Sequence, residues 1–307
     1  MKIIVITGTT ATGKTDLSIE LAHRLNGEIV SADSMMVYRY MDIGTAKPSL
    51  EERKGIQHYL IDVVDPDYDF SVKDFMEIAD KSIKEIIKKG KVPIVVGGSW
   101  LYIHALIYGL TDAPPTDWKL REKLYKKDSR LLFEQLTDID PEYASKIHIN
   151  DKKRVVRALE VYMLTGKPFS YFHKKHGFKE KRYNFIGFVL EREKKEMMER
   201  IQTRVEEMFR KGLVDEVKKL LDLGYEDTLT AKQAIGYKEL IPYIRGRTTL
   251  EKAKEEIIKN TKDFAKRQIR TFRSKLKHDK SWEKIDLSNY TKEKLLDTII
   301  KKYNNGG

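Results

Sequence analysis

The residues Gly8–Thr15 constrain the fold of this chain more than any other feature. They read GTTATGKT and match the pattern G-x-x-x-x-G-K-[ST]. An apolar, β-branched run precedes them, and Asp16–Leu25 follows with leucines at helical spacing. A strand that enters a helix through such a loop predicts phosphate binding, because backbone N–H groups, the helix N-terminus and a lysine converge on phosphate oxygens. The candidate phosphate-binding residues are Gly8, Thr9, Thr10, Ala11, Thr12, Gly13, Lys14 and Thr15, and the Thr15 hydroxyl is placed to hold Mg²⁺.

Strand and helix patterns alternate along the first hundred residues, which predicts a parallel sheet with right-handed crossovers. A helical spacing of apolar residues over Phe75–Lys89 leads into one of the strands. Short apolar runs predict strands at Lys2–Ile6, Glu28–Ala32, Tyr59–Val64 and Val92–Val96. The expected fold class is α/β, a P-loop NTPase-like parallel sheet flanked by helices.

The pattern changes after Pro114-Pro115, where helical periodicity continues without a convincing strand. Helices are predicted at Leu120–Tyr125, Arg130–Leu136 and Lys152–Leu164. A strand-like run returns at Asn184–Leu190, and long helices are predicted at Lys194–Leu223, Thr230–Tyr243 and Leu250–Leu276, with a frayed tail over residues 301–307. We therefore expect an all-helical insertion domain, 114–182, between two parts of the core, 1–113 and 183–307.

The basic residues are concentrated in the later part of the chain, which favours a polyanionic partner over a uniformly solvated surface. The 307 residues carry a net charge of +12. The first 115 residues hold 13 basic and 16 acidic side chains, and the rest of the chain holds 46 and 31. With no cysteine, disulfides, thiol nucleophiles, zinc fingers and iron–sulfur clusters are excluded. Without a signal-peptide core or a long apolar run, secreted and membrane proteins are excluded too, and a cytoplasmic location is expected.

Asp33 is the second candidate for chemistry, because it directly follows a predicted strand. Carboxyl ends of parallel strands line the ligand crevice of an open α/β sheet, so Asp33 should face the phosphate loop. There it can hold magnesium through water, act as a general base, or serve only as a turn or N-cap residue. The run Ile94–Val96 ends in Gly97-Gly98, and Asp62 has no flanking acid. Without an acidic strand end to activate water, a small phosphate-transfer enzyme or one with a diphosphate leaving group is favoured over a motor ATPase.

Six phrases in order give the chain a close resemblance to the tRNA dimethylallyltransferases, from residue 2 to about residue 273. They are GTTATGKT, ADSMMVYRYMDIGTAKP, HYLIDVVDP, VVGGSWLYIHALIYGL, HINDKKRVVRALEVYMLTGKP and AKRQIRTFR. The resemblance implies transfer of a dimethylallyl group from dimethylallyl diphosphate to N6 of the adenosine 3′ of the anticodon. It also implies that the phosphate loop holds the donor diphosphate, with Lys14 and Arg204 on that group and Asp33 as the general base.

The resemblance further implies contacts with the tRNA anticodon stem-loop, and we also expect a monomeric chain with no membrane partner. The tRNA-binding residues carried over are Asp33, Ser34, Met35, Met36, Ser99, Arg121, Lys153, Arg154 and Arg157. Three positions depart from the family pattern: Thr9 replaces proline, Met36 replaces glutamine, and Ser99-Trp100 replaces Thr-Gly. Met36 cannot make the paired hydrogen bonds of an amide, and Trp100 offers either a stacking face or a packing contact.

Two other functions share parts of this pattern. A small nucleoside or nucleotide kinase has the same loop and an aspartate after the second strand, but its small substrate does not require so basic a chain. An RNA-binding nucleotide switch lacks support because no acidic strand end is visible. The basic segment from Lys152 to Arg157 and the basic residues from Lys266 to Arg273 fit RNA contact or solvated helix faces. The pair His173 and His176 has no further ligands, so we reject a metal site there.

Overall fold

The computed structural model describes residues 2–276 and 279–305. Within those residues one all-parallel sheet of six strands has the order β3-β2-β4-β1-β5-β6. The strands are β1 (Ile3–Gly8), β2 (Gly27–Ser31), β3 (His58–Tyr59), β4 (Val92–Gly97), β5 (Phe185–Glu191) and β6 (Trp282–Asp286). Helices flank this sheet, so the predicted fold class is confirmed.

The helices of the α/β part alternate with the strands, except that no α-helix separates β2 from β3 and several lie in succession between β5 and β6 in the described residues. They are α1 (Lys14–Leu25), α2 (Val72–Lys88), α3 (Trp100–Tyr108), α9 (Lys194–Arg210), α10 (Leu213–Asp222), α11 (Leu229–Gln233), α12 (Tyr237–Ile244), α13 (Leu250–Lys275) and α14 (Lys292–Asn305). A second group lies between α3 and β5: α4 (Trp118–Tyr125), α5 (Ser129–Ile139), α6 (Pro141–Ala144), α7 (Lys152–Thr165) and α8 (Phe169–His176).

The central strands are buried on both faces, which explains their continuous apolar sequence. Every residue of β1 and β4 is buried. Ile4, Ile6 and Ile94 belong to one apolar cluster with side chains of α1 and α14. Since the strands are parallel, the carboxyl ends of β1, β2 and β4 meet at one edge of the sheet, where the phosphate loop and Asp33 are placed.

Contacts divide the chain into two compact units. One unit runs up to Ile107 and resumes at Tyr183, and the other is Tyr108–Arg182. The first holds the sheet and its helices. The second has its own apolar core, built from α4, α5 and α7 around leucines and valines such as Leu132, Val155 and Leu159. No helix within the described residues is long and apolar enough to cross a bilayer.

Several sequence-based boundaries are wrong, and glycines or left-handed residues explain most of them. The strand predicted over Tyr59–Val64 stops at Tyr59, because Leu60 and Asp62 adopt positive φ angles of 63° and 57°. The helix predicted over Lys194–Leu223 breaks at Gly212, whose φ is 97°. The helix predicted over Thr230–Tyr243 breaks in the same way before Gly236. Of the tail predicted to fray, residues 301–305 are helical within α14, and residues 306–307 lie outside the described residues.

Candidate active site

The phosphate loop leaves β1 through a position that only glycine fits. Gly8 has φ 148°, and a Cβ atom there would lie 2.5 Å from the carbonyl oxygen of Leu190 on β5. Gly13, at the start of α1, has φ 84° in the left-handed region that favours glycine. The two glycines of the motif therefore set the entry and the exit of the loop, and α1 begins at Lys14 with its N-terminus at the loop.

The Lys14 side chain folds back over the loop. Its Nζ atom donates to the carbonyl oxygen of Thr9 at 2.5 Å and to the hydroxyl of Thr12 at 3.3 Å. Burial, reinforced by the nearby Arg204 charge, lowers the pKa of Lys14 to about 7, and the Asp33 carboxylate opposes this shift. The ammonium thus lies in a site that holds excess positive charge, as expected where an anion binds.

Arg204 reaches the same loop from α9. Its guanidinium donates to the Thr10 hydroxyl at 3.3 Å, and the Thr9 hydroxyl donates to the sulfur of Met197 on the same helix at 3.3 Å. Burial lowers the pKa of Arg204, and the Asp33 charge again acts in the opposite direction. The structure therefore brings together the three residues predicted to be catalytic, although Asp33 and Arg204 are 171 positions apart in the sequence.

Asp33 begins a loop that is tied to the end of β4. Its Oδ1 atom accepts the backbone N–H of Met35 at 2.8 Å, which forms the kind of turn that was the structural alternative for this residue. The Ser34 N–H donates to the Ser99 hydroxyl at 3.0 Å, and the two serine hydroxyls lie 3.2 Å apart. Asp33 combines a turn with a place beside the two cations, so the structural and functional interpretations are compatible.

Met36 and Trp100, which depart from the family pattern in this region, both pack against neighbouring side chains. The Met36 sulfur accepts from the hydroxyl of Ser31 at 3.8 Å, at the end of β2. The Trp100 ring lies 6.2 Å from that of Phe272 and 6.1 Å from that of Trp282. The packing contact that the sequence left open for Trp100 is therefore present.

The DIGTAKP segment is held by residues that the sequence did not single out. The Glu216 carboxylate on α10 accepts the backbone N–H groups of Asp42, Ile43 and Gly44 at 2.7–3.0 Å. It also accepts the Tyr237 hydroxyl at 2.6 Å. The apolar periodicity of α10 predicts only a core helix, and the pattern gives no signal for this role of its glutamate.

Two of the arginines predicted to contact tRNA share one buried carboxylate in the helical unit. Glu160 is fully buried, and both of its oxygens accept from Arg121 at 3.0 Å. Arg157 donates to Glu160 at 2.5 Å and to the carbonyl oxygen of Pro114 at 2.7 Å. Arg154 and Lys153 lie on the exposed face of α7, where Arg154 pairs with Asp151 at 3.3 Å.

The arrangement suits a reaction in which a diphosphate leaves and a proton is removed from a nucleophile. The loop and two cations lie at one place, where they can stabilise negative charge that develops on a leaving group. A carboxylate at the end of the neighbouring strand can accept a proton. No group of three His, Cys, Asp or Glu residues in the described chain forms a metal cluster.

Comparison with protein families supports the sequence resemblance. The model of the family described as IPP transferase matches residues 36–275. A tRNA dimethylallyltransferase from Sulfurihydrogenibium sp. (strain YO3AOP1) is 62% identical over 302 residues, which cover 98% of this chain and 97% of that protein. The tRNA dimethylallyltransferase of Aquifex aeolicus (strain VF5) is 51% identical over 307 residues, 99% of this chain and 98% of the relative.

Solved structures similar to this chain come from enzymes with the same kind of name. The tRNA delta(2)-isopentenylpyrophosphate transferase of Staphylococcus epidermidis superposes with a TM-score of 0.72 at 40% identity, covering 99% of each chain. A eukaryotic dimethylallyltransferase acting on tRNA superposes with a TM-score of 0.79 at 32% identity. That match covers 93% of this chain and 73% of the other.

Proposed function

The chain belongs to the IPP transferase family, and on that premise we propose that it transfers a dimethylallyl group from dimethylallyl diphosphate to tRNA. The acceptor atom is N6 of the adenosine directly 3′ of the anticodon, and diphosphate is released. One observation carries the proposal: Lys14 and Arg204 lie at the phosphate loop, close enough to Asp33 for its charge to affect the pKa of each. A diphosphate leaving group and a nucleophile that must lose a proton require these two kinds of group.

The phosphate loop acts on the donor. As the allylic C–O bond breaks, negative charge grows on the diphosphate, and the loop amides, Lys14 and Arg204 stabilise it there. The present partners of Lys14 are the carbonyl of Thr9 and the hydroxyl of Thr12, both within the loop. The ammonium can therefore exchange them for phosphate oxygens through a change of side-chain rotamer, without a rearrangement of the backbone.

Asp33 acts on the acceptor. The exocyclic amine of adenine is a weak nucleophile, and a carboxylate that takes its proton contributes about 10²–10⁴-fold to the rate. The hydrogen bond from Met35 to Oδ1 fixes the carboxylate, so we assign the transferred proton to Oδ2. The adenine must leave its stack to reach this site, which costs less in a loop than in a duplex.

We assign Mg²⁺ to the same place. The Thr15 hydroxyl in the first turn of α1 is a hard oxygen donor that would hold the ion. The Asp33 carboxylate would reach the ion only through water, because its oxygens serve the Met35 N–H and the transferred proton. When bound, the ion neutralises charge on the leaving diphosphate.

The tRNA side of the proposal involves both units. In the α/β unit the contacts are Asp33, Ser34, Met35, Met36 and Ser99. In the helical unit, 114–182 in the sequence-based division, Lys153 and Arg154 contact phosphates from the exposed face of α7, and Arg121 and Arg157 join them from the Glu160 cluster. We expect a monomer that works in the cytoplasm, where its tRNA substrate is found.

Transfer of two different labels tests this function against the kinase alternative. The chain is incubated with tRNA, a mixture of nucleosides and either dimethylallyl diphosphate labelled in the prenyl group or ATP labelled in the γ-phosphate. We expect prenyl label in the tRNA and no phosphate label in either tRNA or nucleosides. Phosphate transfer to a nucleoside, with no prenyl transfer, would contradict the proposal. Lys14→Met serves as the matched control for label that enters without the phosphate loop.

A further inference from the structure

We infer that Gln268 on α13 is a positioning residue that fixes the donor loop relative to the acceptor loop. Its side-chain oxygen accepts the backbone N–H of Thr10 at 3.0 Å, and its side-chain nitrogen donates to the carbonyl oxygen of Gly98 at 3.0 Å. Thr10 lies in the phosphate loop, and Gly98 follows β4. One amide therefore joins the ends of two neighbouring strands.

The position of Gln268 on its helix makes this role specific. Ala265, Gln268 and Phe272 form the buried stripe of this part of α13, with Gln268 only 7% exposed. An amide buried there costs free energy unless both of its ends are hydrogen-bonded, and an apolar residue is the usual choice. Because one partner is a donor and the other an acceptor, the amide can satisfy both in one orientation only.

Gly98 leaves the space that the amide occupies. A Cβ atom at Gly98 would lie 2.5 Å from the Gln268 nitrogen, so any larger residue displaces the amide. The atom displaced is the far end of a flexible side chain. Gly98→Ala therefore breaks the link without opening a cavity in the core.

The link continues to the general base. Ser99 follows Gly98 directly, and its hydroxyl accepts the Ser34 N–H at 3.0 Å, next to Asp33. At the other end Arg204 donates to the hydroxyl of Thr10, the residue whose N–H Gln268 holds. Gln268 thus stands between the groups that bind the diphosphate and the group that takes the proton.

This inference rests on the proposed function for its consequence. Transfer requires the allylic carbon and the adenine N6 atom to meet at near-attack distance, and a misplacement of about 1 Å can cost on the order of 10²-fold in rate. Without the amide, the phosphate loop can still bind the diphosphate and the Asp33 loop can still bind the adenine. The two loops are, however, no longer held in position relative to each other. We therefore expect kcat to fall while binding of either substrate changes little.

Gln268→Met, Gly98→Ala and the double variant test the inference. We expect each single variant to lower kcat about 10–10²-fold, with KM for the donor and Kd for tRNA within about twofold of the wild-type values. The double variant should be no slower than the slower single, because both changes break the same hydrogen bond. Gln202→Met, on the exposed face of α9, is the matched control and should keep wild-type kinetics.

Peptide-level hydrogen exchange gives a readout that does not depend on activity. Gln268→Met should increase exchange in both the loop 8–15 and the segment 97–99, and Gln202→Met in neither. A wild-type kcat in both single variants, or losses that multiply in the double variant, would overturn the inference. Faster exchange in only one of the two segments would overturn it as well, even if the wild-type chain transferred no prenyl group and the proposed function failed.

Discussion

At the scale of single residues, the charge of Lys14 should depend on whether the diphosphate is bound. Burial and the Arg204 charge lower its pKa to about 7 in the free chain, and a bound diphosphate favours the charged form and raises it. At pH 8 the free lysine is mostly neutral, so binding takes up a proton. At pH 6 it already carries the proton, and uptake should vanish.

Calorimetry in buffers of different ionisation enthalpy measures this uptake with inorganic diphosphate as the ligand. Lys14→Met, which keeps most of the side-chain length but has no ionisable group, should abolish the pH-dependent proton uptake. Equal uptake at pH 6 and pH 8, or uptake that survives in Lys14→Met, would show that another group takes the proton.

Asp33→Asn separates chemistry from structure at the neighbouring residue. The asparagine oxygen still accepts the Met35 N–H, so the turn is retained, but the side chain no longer takes a proton from adenine. We expect single-turnover transfer to fall about 10²-fold or more, with tRNA affinity within a few-fold of wild type. Parallel losses of affinity and rate would instead mark Asp33 as a structural residue.

At the scale of elements, the Glu216 contacts with residues 42–44 predict a local loss of stability. Glu216→Gln replaces one accepting oxygen with an NH₂ group that faces backbone N–H donors. We expect the free energy of unfolding to fall by about 1–3 kcal/mol, because backbone N–H groups that are only partly exposed lose hydrogen bonds to a charged acceptor. Urea unfolding measures the change, with Glu199→Gln on the exposed face of α9 as the control. Equal stability of the two variants would contradict this account of the segment.

Gly44→Ala tests how residues 42–44 pack against the ring of Tyr237 on α12. A Cβ atom at Gly44 would lie 2.4 Å from the ring of Tyr237, which is fully buried and cannot move away cheaply. We expect a loss of about 1–3 kcal/mol, typical of overpacking. An unchanged urea midpoint would show that the segment is not clamped against α12.

The elements that the sequence predicts well are those with a strong local signal. The strand before the phosphate loop and the run Val92–Val96 are apolar throughout because the strands they predict, β1 and β4, are buried on both faces. The edge strand β6 is missed because three of the five residues of its sequence, WEKID, are charged and its apolar residues do not alternate with them. Glycine breaks within long helical patterns are missed because the apolar spacing continues on both sides of Gly212.

The residues of the site likewise divide into those that the sequence indicates and those that it does not. The loop motif and Asp33 carry local signals, a glycine pattern and a place after a strand, and the resemblance supplies Arg204. Gln268 lies in the segment AKRQIRTFR, but nothing local indicates its role, since its two partners lie 258 and 170 positions away and a polar residue in a helix predicts exposure. Contacts of this kind depend on tertiary structure, so sequence patterning does not reveal them.

At the scale of the whole molecule, the basic residues of the helical unit fall into two classes that separate experiments can distinguish. Arg154 is exposed, so Arg154→Ala should leave the melting temperature unchanged. If it contacts a phosphate, it should also reduce the slope of log affinity against log salt by about 0.7–0.9. The effect should be the same for every tRNA sequence, because phosphates carry no base identity. An unchanged slope would remove Arg154 from the interface.

Arg157→Ala should behave differently, because its guanidinium serves the buried Glu160. We expect the free energy of unfolding to fall by about 1–3 kcal/mol, since Glu160 keeps its bonds to Arg121 and to the backbone of Asp117. Thermal melts measure the loss. We expect the salt slope to fall as well, because the proposed function also gives Arg157 a phosphate contact, and an unchanged melting temperature would show that Arg157 does not brace the unit.

The central claim is that the phosphate loop delivers a prenyl group to one adenine of tRNA, and nucleoside analysis of the reacted RNA tests it most directly. An anticodon stem-loop is incubated with the chain and dimethylallyl diphosphate, digested to nucleosides and examined by mass spectrometry. We predict one adenosine per stem-loop that has gained a C5H8 unit at N6, and no such product when inosine, which lacks the N6 amine, replaces the adenosine 3′ of the anticodon. Prenylation of the inosine stem-loop would contradict the account. An adenosine that stays unmodified after incubation with all components of the reaction would contradict it as well.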